Sequence, residues 1–135
     1  MLNTWRVWND RVEDDAVGTV TRLKKALGDI ADTHTDVDTG LVDYDAMEGD
    51  ERFAVFEEGV CELQAVRIEE ADVDTRLAFF INLYNMMIYH AFTKLGRPES
   101  TFRRSSFFAH VSYNIGGRVY SFHDIESGTG AVARA

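Results

Sequence analysis

The chain has 135 residues, 45% hydrophobic and 27% charged, which fits one globular domain built around a single core. Its formal net charge of −9 and pI near 4.8 oppose nucleic-acid binding, where affinity comes largely from neutralised phosphates, and equally oppose docking on anionic lipid. The basic pairs Lys24–Lys25 and Arg103–Arg104 are too small to reverse that balance, and most of the acid reads as solvated surface.

Cys61 is the single cysteine, so neither an intrachain disulfide nor a dithiol pair can form, and a cytoplasmic protein is expected. The opening MLNTWRVWNDRVEDD lacks a cationic segment followed by an apolar run, so no secretory signal is expected. No repeat of 20–50 residues is visible, which argues against a solenoid.

In chain order, residues 13–31 predict an amphipathic helix. Ala16, Val20, Leu23, Leu27 and Ile30 recur at helical spacing, and Glu13, Asp14 and Asp15 suit the positive end of its dipole. The polar run 32–40 reads as a loop and Leu41–Tyr44 as a short extended piece. A second helix is predicted from Asp50, its N-cap, to Val66, with Phe53, Phe56, Val60 and Leu63 facing inward. A third, from about Asp74 to Leu95, is apolar nearly all round between Leu77 and Phe92 and is expected to be enclosed by its neighbours. That stretch is too short and too polar to span a bilayer. Gly96 and Pro98 supply the stop.

Glu99–Phe108 reads as a short helix or turn, and a hairpin follows around Gly116–Gly117, a pair that tolerates positive φ. That turn pairs Ile115 with Arg118, Tyr113 with Tyr120 and Val111 with Phe122 on one side. Ser121 and Asp124 form a capping-box pattern opening a last helical turn, which Gly128 closes. The fold class expected is α+β: mostly helical, with three main helices and a small antiparallel hairpin.

The stretch RLAFFINLYNMMIYHAFTKLGRPES resembles the hallmark of the domain-of-unknown-function family numbered 547. YNIGGRVYSFHDIESG is similar to that family's hairpin and D-I-E motif, and LVDYDAM and FAVFEEGVCELQAV to its preceding segment, so the resemblance covers about residues 41–128. The family brings no settled activity. The resemblance implies a downstream segment rich in histidine and cysteine, so residues 1–135 are expected to be a single domain that is incomplete at its C-terminal side.

Among candidate site residues, Asn82 and Asn85 stand out, lying about 60° apart on an apolar helix, with Tyr89 one turn on. A buried amide without partners costs roughly 1–3 kcal/mol, so each is expected to be buried and bonded to loop or hairpin backbone, or else to line a ligand site. His90 reads as a hydrogen-bonded core residue. His110, His123, Asp124 and Glu126 are read as a remnant polar site at most, and surface or capping roles suit them better. The alternating oxygens of Asp32, His34, Asp36 and Asp38 hint at calcium, but Val37 and Asp43 stand where a calcium loop needs glycine and glutamate. Cys61 lies among Glu57, Glu58 and Glu62, whose charge raises a thiol pKa, and it reads as packing.

No metal, no cofactor and no catalytic residue is therefore expected. The favoured function is a non-catalytic interaction or scaffold module with an unknown protein partner, and with neither nucleic acid nor membrane. The alternative is a degenerate or truncated cysteine-hydrolase-like domain. The order of a helix, a G-x-P turn and a hairpin is similar to that of transglutaminase-like proteins, although no cysteine begins the helix.

Overall fold

The structure, a computed structural model of the chain, describes residues 1–8 and 15–127. Helix α1 (Ala16–Thr33) opens at Asp15, whose carboxylate accepts from the Gly18 amide at 2.6 Å, and it buries Val20, Leu23, Leu27 and Ile30. The expected contributions of Glu13, Asp14 and Gly128 lie outside the described residues.

Thr35 and Val42 form an isolated antiparallel bridge, and α2 (Tyr44–Glu48) follows where an extended piece was expected to end. Asp43 starts it by accepting from the Ala46 amide at 3.0 Å. The helix predicted over residues 50–66 is two elements. Asp50 caps α3 (Glu51–Gly59) as expected, and a tighter 3-10 helix (Val60–Ala65) continues it. Its inward face is as predicted, with Phe53, Phe56, Val60 and Leu63 all buried.

Asp72 caps α4 (Val73–Leu95) through the Thr75 amide, and Gly96 closes it at φ 80°. Phe79, Leu83, Met86, Met87 and Ala91 form the centre of the core, against which α1 and α2 pack. One face is nevertheless open. Ile81 is 46% exposed, Asn85 is exposed and Tyr89 is 39% exposed, so the full enclosure expected of this helix does not occur. These residues recur every fourth position, where no element among the described residues covers the helix.

Helix α5 (Thr101–His110) buries no residue completely; its Phe107 and Phe108 rings pack on Phe122. Strands β1 (Ser112–Ile115) and β2 (Arg118–Ser121) pair with Tyr113 opposite Tyr120 and Ile115 opposite Arg118. The ladder ends at Ser112–Ser121, so Val111 and Phe122 are not paired: Phe122 already begins a helix, α6 (122–127). The expected capping box causes this switch. The Asp124 carboxylate accepts from the Ser121 amide at 2.9 Å, and Ser121 Oγ accepts from the Asp124 amide at 3.1 Å. Gly116 and Gly117 both hold positive φ, and the Gly116 amide donates to the Leu63 carbonyl at 3.0 Å, seating the hairpin tip on the 3-10 helix. The architecture is α+β and mostly helical, with a two-stranded antiparallel sheet.

Candidate functional site

A polar network ties three elements together inside the core. His90 is fully buried and follows Leu83 by about two helical turns on the inward face of α4. Its Nδ1 meets the Tyr113 hydroxyl of β1 at 2.6 Å, and its Nε2 meets Glu57 Oε2 of α3 at 2.9 Å. Lys94, one turn further along α4, donates to Glu57 Oε1 at 2.9 Å. Tyr113 is fully buried, and the Phe56 ring stands edge-on to the imidazole at 5.0 Å between centroids.

Proton placement follows from the partners. A carboxylate only accepts, so Nε2 carries the proton and donates to Glu57, while the Tyr113 hydroxyl donates to Nδ1. Burial lowers the His90 pKa, outweighing the opposing pull of Glu57, and so favours this neutral ring. Burial raises the Glu57 pKa, but hydrogen bonds from His90 and Lys94 and their charge outweigh it, leaving it below the usual value. Burial also raises the Tyr113 pKa. Every member therefore has a partner, and Lys94, whose side chain is 48% exposed, carries the network to the surface.

Sequence reasoning placed His90 in the core but missed Glu57 and Tyr113 as its partners. Glu57 offered a signal: it falls four residues after Phe53, on the apolar stripe of its helix, where an unpaired carboxylate would be costly.

The amide pair behaves differently from the expectation. Asn82 is half-buried; its Oδ1 accepts from Lys24 Nζ at 3.1 Å, and its Nδ2 donates to the Ala78 carbonyl of its own helix at 2.9 Å. It therefore ties α4 to α1, not to a loop or the hairpin. Asn85 is exposed on the open stripe of α4 and makes no side-chain hydrogen bond among the described residues. Tyr89 lies on the same stripe.

Asn85 instead lines a shallow cleft with Phe80, Ile81, Tyr84 and Glu126. A second cleft shares Tyr84 and Glu126 and adds Arg104, Ser105 and His123. The two form a surface trough centred on Tyr84, built from α4, α5 and α6. Burial raises the Tyr84 pKa, the Glu126 charge raises it further, and Arg104 lowers it. The structure thus brings Asn85, His123 and Glu126 to one surface. Asp124 is engaged in the capping box, and His110 lines a different cleft.

Cys61 is fully buried, with Sγ 3.7 Å from the Glu57 carbonyl. Burial is the main cause of its raised pKa, and the Glu57 and Glu58 charges add to it. In the loop that hinted at calcium, Asp36 accepts from the Asp38 and Thr39 amides at 2.8 and 3.0 Å, which makes it a turn cap. Among the described residues, no helix is long and apolar enough to cross a membrane.

Comparison with curated proteins and with solved structures finds no match. The family model described as "Protein of unknown function, DUF547" matches residues 68–130. The match takes in α4, α5 and the hairpin, and with them His90 and Tyr113; Glu57 and the segments LVDYDAM and FAVFEEGVCELQAV lie before it. Over residues 68–130, the chain is similar to the DUF547 family of proteins of unknown function.

Proposed function

We propose that this domain is a non-catalytic interaction module. One observation carries the reading: His90, Glu57 and Tyr113 are engaged with one another inside the fold, whereas Tyr84, Asn85, Arg104, His123 and Glu126 meet on the surface. Tyrosine and arginine beside apolar side chains are the residue types that protein interfaces favour.

The hydrolase-like alternative draws on one feature. Glu57 and His90 have the geometry of the acid–imidazole half of a catalytic triad. The third position is held by the Tyr113 hydroxyl, which is fully buried.

A panel of nitrophenyl esters and peptide anilides, assayed with the intact chain and with His90→Gln, tests the choice. The expected result is no turnover above buffer with either protein. Turnover by the intact chain that vanishes in a folded His90→Gln variant would overturn the proposal and make the hydrolase reading the better one.

A further inference from the structure

A cleft of about 570 Å³, within the range that holds a small molecule, lies between the N-terminal segment, the end of α4 and the start of β1. Leu2, Trp5, Leu95 and Val111 give it apolar walls, and Glu57, Lys94, His110 and Ser112 are its polar members. The Trp5 Nε1–H donates to the Glu57 carbonyl at 2.7 Å, which fixes one edge of the indole, yet the residue remains 60% exposed. Leu95 is 57% exposed. An oriented indole and a leucine left open at a cleft are the kind of surface an apolar ligand body covers.

The hydrogen-bonding inventory defines the head group. Both Glu57 carboxylate oxygens already accept, from His90 and from Lys94. An ammonium has three donors, and Lys94 uses one on Glu57. His110 Nδ1 lies 2.8 Å from the Ser106 carbonyl, which only accepts, so Nδ1 carries a proton there and Nε2 is left open. The positively charged group with unused donors on this wall is Lys94. We infer that the cleft binds a small carboxylate with an apolar body, its head on Lys94 beside His110 and its body against Trp5 and Leu95. This site is separate from the Tyr84 trough and does not depend on the proposal made for it.

The test uses 1-naphthaleneacetate and its neutral amide, titrated into the intact chain by calorimetry and by tryptophan fluorescence. Saturable binding of the carboxylate is expected, tighter than the amide by about tenfold. Lys94→Gln should remove that preference, and Leu95→Glu, at an exposed position, should abolish carboxylate binding without unfolding the protein. No saturable binding at about 10 mM would overturn the inference, as would equal affinity for acid and amide, or carboxylate binding that Leu95→Glu leaves unchanged.

Discussion

Tyr113→Phe removes one oxygen from the buried network and leaves the ring in place. The Tyr113 hydroxyl lies 2.6 Å from His90 Nδ1, and both residues are fully buried, so the lost donor cannot be replaced by bulk water. Stranding a buried acceptor costs about 1–3 kcal/mol. The phenylalanine ring fits the same space, so no cavity adds to that figure. Urea denaturation followed by circular dichroism is the assay, with the midpoint expected to fall and the slope to stay constant, since the exposed surface is unchanged. Repeating the substitution in a His90→Leu background, where Nδ1 no longer exists, should cost clearly less, because the pair is coupled. A midpoint unmoved by Tyr113→Phe, or an equal loss in both backgrounds, would refute the reasoning.

Asn85→Leu should change stability by no more than about 0.5 kcal/mol, since Asn85 is exposed and has no side-chain partner among the described residues; thermal denaturation checks this, and a large loss would restore a structural role. Gly116→Ala should loosen the hairpin, because a Cβ there would stand 2.3 Å from the Val66 carbonyl oxygen and φ is 61°; a midpoint equal to that of the parent would contradict it. The pH dependence has a defined sign. The folded-state pKa of His90 lies below 6.5, so the unfolded chain takes up that proton first, and stability is full above pH 6.5 and declines as pH falls below it. Glu57, lowered from 4.5, adds a second loss as pH falls through its folded value. His90→Gln should flatten the first part of this decline in denaturation midpoints measured across pH.

Local signals were the legible ones. Asp50 and the Ser121–Asp124 box announced helix starts because a cap is written in adjacent residues, and Gly116–Gly117 set the hairpin register for the same reason. Helix α2 escaped notice because five residues are too few to show a period. The open stripe of α4 was hidden by the helix's overall hydrophobicity, which counts Ile81 as core although it is 46% exposed. The Glu57–His90–Tyr113 network joins positions 33 and 23 residues apart, and no spacing rule links them. Only tertiary packing brings them together.

The measurement that tests the central claim most directly is imidazole nitrogen NMR of the intact chain, with the His90 signals assigned through a His90→Gln variant. A structural network predicts a neutral His90 ring at pH 6.5, protonated on Nε2 and with its Nδ1 accepting. A ring that is half-protonated at that pH, or protonated on Nδ1 with Nε2 free, would contradict the account and reopen His90 as a working base.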